Sequence, residues 1–136
     1  LSTVFADLGV ERGGVWRGPK ALGLEQAPLA PARPAISEEL ALEPPSLGGD
    51  LPSGGLLTVA QASGSTKVAL ARRERYPGAL AEDMESFGVA VAAARLGIAL
   101  SVVRAASNEA GEPERGRWDH AGALSSLRAW LLGARL

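Results

Sequence analysis

A chain of 136 residues, 46% hydrophobic and 21% charged, has the size and balance of one ordinary domain over residues 1–136, which excludes an unstructured polar chain. A net charge of −1 without a long Lys/Arg cluster argues against a nucleic-acid partner, and no apolar run approaches the ~20 residues of a membrane span. The absence of cysteine and a single histidine, His120, exclude disulfides, thiolate chemistry and a multi-histidine metal site, so no metal or cofactor is expected.

Seven of the nine prolines lie at or before Pro52, so the first third is expected to be irregular, with SEELAL (residues 37–42) as a helical turn or two. Phe5 and Trp16 nevertheless require burial there. LLTVAQA (56–62) is predicted as a strand, and TKVALARRERY as a helix stopped at Tyr76-Pro77-Gly78. ALAED is a second strand, MESFGVAVAAARL (84–96) a helix ending at Gly97, and IALSVVRA (98–105) a third strand, apolar enough to be covered on both faces. DHAGALSSLRAWLL closes the chain as a helix with Asp119 as N-cap and Leu124, Leu127 and Leu131 on one stripe.

Strand, helix, strand, helix, strand, helix is the order of an α/β layer fold, in which ligands bind at the carboxyl ends of strands. Three such ends carry small or polar residues: Ala62-Ser63-Gly64, Glu82-Asp83-Met84-Glu85, and the run from Arg104 to Asn108. Each has a second reading. Glu85 either serves a ligand or simply suits the positive end of a helix. Arg104 either serves a ligand or pairs with Asp83 or Glu109. Asn108, taken alone, reads first as a turn residue or cap. RRER (72–75) reads as the exposed face of a helix, His120 as a solvated residue, and Trp118 and Trp130 as packing anchors.

The segment AEDMESFGVAVAAARLGIALSVVRAASNEAG resembles the C-terminal signature of the nucleoside phosphorylase and nucleosidase superfamily. The carriers are a Met-Glu pair opening a helix and a following strand that ends Arg-x-x-Ser-Asn. FADLGVE, LLTVAQASGST and SNEAGEPERGRWD extend the likeness, most weakly across residues 18–54. The implied fold is α/β and three-layered, a nucleoside phosphorylase-like central mixed sheet flanked by helices. In the family, strands before the matched part supply a glycine-rich turn and a water-activating glutamate. The resemblance therefore implies that the N-terminal strands are missing from this chain, leaving a sheet edge that promotes association.

It also implies a small-molecule purine nucleoside as partner, a homodimer, a cytoplasmic setting and cleavage of an N-glycosidic bond. Glu85 would accept from the ribose hydroxyls, Met84 would pack on the sugar, and Arg104 would lie near the ribose and the water. Asn108 and Ser107 would face the purine, with Ala62 and Ser63 bordering it. An amide at 108 offers a donor and an acceptor together, matching the protonated N7 and O6 of hypoxanthine rather than adenine. A hydrolase is the implied activity. A 6-oxopurine phosphorylase and a non-catalytic association module are the alternatives.

Overall fold

The computed structural model describes residues 1–24, 36–45 and 51–133. The proline-rich stretch 27–35, expected to be irregular, lies outside them. The first third nevertheless supplies two of the sheet's four strands, one of them central. Strand β1, Thr3–Ala6, has Val4 and Ala6 buried on one face and Phe5 packed on the other. Strands β2, Val10–Arg12, and β3, Val15–Arg17, form a hairpin across Gly13-Gly14, whose φ angles of 62° and 75° suit a two-residue turn.

Residues 37–42 do not form the expected helical turn. Glu39–Ala41 is strand β4, antiparallel to β1 with Leu40 opposite Val4, and Leu42 is buried beside it. Pairing with a neighbouring strand outweighs the helical preference of Glu, Leu and Ala.

Strand β5, Gly55–Thr58, runs parallel to β1 and to β6, Ala79–Asp83, giving a mixed sheet in the order β4-β1-β5-β6. The β5 ladder stops short of the predicted Ala62. Helix α1, Thr66–Arg75, joins β5 to β6, and helix α2, Ser86–Leu96, ends on Gly97 in the left-handed region. Val4, Leu42 and Ala90 form one core cluster on the α2 side. Leu57, Val59 and Tyr76 form another beneath the end of α1. Helices thus cover both faces of the sheet.

Two expectations fail further along. Residues 98–105 are not assigned as a strand. Among the described residues, the run meets distant segments backbone to backbone only at Leu100 and Val102. Glu43 N donates to Leu100 O at 2.9 Å and the Leu1 amino group to Val102 O at 3.2 Å. Two such bonds do not make a ladder, although Leu100 and Val102 pack against the first core cluster. Helix α3, His120–Gly133, is capped by Asp119 as expected, with Gly122 N at 2.8 Å from Oδ1. Its inward residues are Ala123, Leu127 and Trp130, which face Val103 and Ala105 across a cleft, while Leu124 and Leu131 are exposed. No helix among the described residues is long and apolar enough to cross a membrane.

Candidate active site

Because β1, β5 and β6 are parallel, their carboxyl ends lie along one edge of the sheet. The sequence places an acidic pair at the end of β6, Glu82-Asp83. Strand side chains alternate between faces, so the two point to opposite sides of the sheet.

Asp83 turns toward α2 and gathers the site. Its Oδ1 accepts from Thr58 Oγ1 at 2.8 Å, and Thr58 Oγ1 in turn accepts from Phe87 N at 2.9 Å. The Asp83 carboxylate also accepts from Ser86 N at 3.2 Å and from the buried Ser86 hydroxyl. This side chain caps α2 three residues ahead, an N-cap arrangement. Arg104 Nη2 then donates to Asp83 Oδ2 at 2.9 Å and to Ser86 Oγ at 2.6 Å. Of the two partners considered for Arg104, Asp83 is the one it binds. The Arg104 side chain keeps 44% exposure against 11% for Asp83, so the ion pair still presents its cation to solvent.

Met84 and Glu85 lie between Asp83 and Ser86, at the start of α2, and both are exposed. The Glu85 carboxylate accepts only from the neighbouring Met84 N at 3.3 Å, among the described residues. Asp83 rather than Glu85 holds the helix start, which leaves the Glu85 carboxylate able to accept from a ligand.

On the opposite face, Glu82 Oε1 accepts from Ser63 N at 2.7 Å and its Oε2 from Ser63 Oγ at 2.9 Å. Ser63 is buried, so its hydroxyl is committed within the protein, while Ala62 beside it is exposed. Arg72 and Arg75 are not the exposed helix face that RRER suggested. Both enter ion pairs with Asp7, Arg72 at 3.0 Å and Arg75 at 3.0 Å, while Arg73 and Glu74 remain exposed. The inward stripe of α1 runs through Ala69, Arg72 and Tyr76, so it is cationic at its centre.

The Ser107-Asn108 turn closes the third side. Asn108 Oδ1 accepts from Ser107 Oγ at 2.8 Å and its Nδ2 donates to Glu109 O at 2.9 Å, the contacts of a turn residue. Ser107 O accepts from Asp119 N at 2.7 Å, which ties the turn to the start of α3. Gly111, at φ 92°, packs so closely that a Cβ there would lie 2.7 Å from the Ser65 carbonyl. That contact brings the 107–111 loop against the 63–66 segment. The structure thus assembles Arg104 with Met84-Glu85 through Asp83 and Ser86, and the Asn108 loop with the Ser63 turn through Gly111.

The sequence did not single out Asp7, Thr58 or Ser86, presented Arg72 as exposed surface, and offered Asp83 as a strand-end residue and a possible partner of Arg104. The Asp83-x-x-Ser86 spacing ahead of an apolar helix was the available signal for the cap. No signal existed for Arg72. No group of three or more metal-ligating side chains is found among the described residues.

Residues 5–131 match the sequence model of the phosphorylase superfamily. The chain belongs to the phosphorylase superfamily. Its mixed sheet with helices on both faces agrees with the three-layer architecture of that family. The chain is 38% identical over 125 residues to a futalosine hydrolase of Streptomyces coelicolor, covering 90% of this chain and 49% of that protein. It is 49% identical over 74 residues to a futalosine hydrolase of Acidothermus cellulolyticus, covering 54% of this chain and 30% of that protein. It therefore spans less than half the length of the curated relatives it matches. No solved structure gives a significant match.

Proposed function

We propose that residues 1–136 are the base- and ribose-binding part of a purine nucleosidase that hydrolyses futalosine and releases hypoxanthine, a step of menaquinone biosynthesis. Membership of the phosphorylase superfamily and the likeness to two proteins named futalosine hydrolase support this reading. The observation that carries it is the start of α2. There Asp83 performs the capping and binds Arg104, so the exposed Glu85 carboxylate is left to a ligand.

In this mechanism Glu85 accepts hydrogen bonds from the ribose 2′- and 3′-hydroxyls, and Met84 packs on the sugar. Water attacks C1′ and the C1′–N9 bond breaks, its electron pair passing to the purine; the water gives up one proton and the purine gains one at N7, so the sugar leaves with a C1′ hydroxyl and hypoxanthine leaves neutral. Positive charge that builds on the ribose is stabilised by the carboxylate of Glu85, more in the transition state than in the ground state. Arg104, fixed by Asp83 and Ser86, orients the ribose and the water. Asn108 Nδ2 turns from Glu109 O to donate to O6, and its Oδ1 accepts from protonated N7 of the departing hypoxanthine. Ser107 steadies that amide, and Ala62 and Ser63 border the base. The protein acts in the cytoplasm as a homodimer, a state favoured by the exposed apolar side chains of Leu80, Leu96 and Ile98.

The test is base selectivity in the complete gene product. Asn108→Asp raises the ratio of adenine-nucleoside to hypoxanthine-nucleoside cleavage by about tenfold or more, because a carboxylate facing O6 is repelled. An unchanged ratio removes Asn108 from base recognition. Hypoxanthine release proceeds without phosphate. Strict dependence on added phosphate would replace the hydrolase with a 6-oxopurine phosphorylase.

A further inference from the structure

We infer that Arg72, acting with Glu82, is a positioning residue for the turn bordering the purine, an inference that rests on the nucleosidase reading above. A single guanidinium reaches three separate segments. Its Nε donates to Asp7 Oδ2 at 3.0 Å, Nη1 to Ser63 Oγ at 2.8 Å and Glu82 Oε2 at 3.3 Å, and Nη2 to Gln61 O at 2.8 Å. Glu82 holds the same turn from the sheet side, through Ser63 N and Ser63 Oγ. The turn is therefore pinned at both ends, by the carbonyl of Gln61 and by the amide and hydroxyl of Ser63. Ala62 between them is left projecting.

The charges close on themselves. Asp7 and Glu82 face Arg72 and Arg75, and Arg75 is further seated 3.8 Å over the Trp16 ring. The Arg72, Glu82 and Asp7 side chains are each no more than 15% exposed, so the network is shielded from solvent and ions. Only a planar fork with five N–H donors meets acceptors in these three directions. A lysine ammonium carries the charge without the geometry. None of these side chains is placed at the ribose or at Arg104, so the network acts on the base side by preorganising the turn before substrate arrives.

In the complete gene product, Arg72→Lys raises KM for futalosine about tenfold while kcat changes by less than about threefold. Glu82→Gln produces the same split. Amide hydrogen exchange across residues 61–65 accelerates in both variants, with β1 and β5 exchanging at the wild-type rate. Unchanged KM and unchanged exchange would overturn the inference. So would a fall in kcat at constant KM, or a loss of protection throughout the chain, since those describe a merely structural role. If the wild-type protein fails to release hypoxanthine from futalosine, the nucleosidase reading falls instead. Exchange at 61–65 then decides the positioning role alone: acceleration in Arg72→Lys upholds it and an unchanged rate removes it.

Discussion

Glu82 and Asp83 are neighbours on one strand, yet they organise two different halves of the site. Asp83 faces α2, caps it and holds Arg104, whose guanidinium stays partly in solvent. Glu82 faces α1 and closes with Arg72 and Ser63 into a network shielded from solvent. The first arrangement keeps a cation and a spare carboxylate, that of Glu85, available at the helix start. The second uses up its polar groups internally and leaves the projection of a turn as its output. One strand can serve both because its side chains alternate with period 2.

Removing Asp83 is the most severe way to break this division. Asp83→Ala leaves Thr58 Oγ1, Ser86 N and Ser86 Oγ without their acceptor and removes the ion pair of Arg104, and it lowers stability by about 3 kcal/mol. Denaturant unfolding measures it, and a loss under about 1 kcal/mol would mean that Asp83 is not the hub described.

Gly111 tests whether the two halves depend on one another. Gly111→Ala places a Cβ against the Ser65 backbone at a φ of 92° and costs about 2 kcal/mol. It parts the Asn108 loop from the Ser63 turn, so base selectivity loosens while Arg104 keeps its ion pair. A variant with wild-type stability and selectivity would show that the loops act independently.

The smallest effect lies under the Glu82 side. Burial first, and then the charge of Asp7, push the Tyr76 hydroxyl from 10.0 up to about 12. The folded chain holds this proton more tightly than the unfolded chain. Its contribution is therefore complete below pH 10.0 and is lost as pH rises toward about 12. Tyr76→Phe removes the hydrogen bond to Ala6 O, costs about 1 kcal/mol at neutral pH, and flattens the alkaline fall in thermal midpoint. An unaltered alkaline limb would assign that fall to another group.

Most of the α/β order was legible in the chain. ALAED is a strand, MESFGVAVAAARL runs into Gly97 and is largely a helix, and Asp119 caps α3. What escaped were elements whose state depends on a partner. SEELAL carries good helix formers and became a strand because β1 lies beside it. IALSVVRA has ideal strand composition, yet among the described residues it meets distant segments backbone to backbone only at Leu100 and Val102 and forms no ladder.

The candidate residues divide in the same way. Met84, Glu85, Arg104, Ser107 and Asn108 stand out by their match to the superfamily signature, and Ala62 and Ser63 by their place after a strand. Arg72 looked like solvated surface because RRER has no apolar period, and only the approach of Asp7 and Glu82 made it an interior residue.

By itself, the sequence determined which residue types sit at the strand ends, where the helices stop, and which superfamily signature the chain carries. Those properties are local, written in caps, periods and short motifs. Tertiary structure alone decided that Asp83 would hold Arg104, that Glu82 would take Arg72, and that Gly111 would seat one loop against another. Each of these joins groups distant in the chain or on opposite faces of a sheet. Their energies depend on distance and burial, which arise only once the chain has folded.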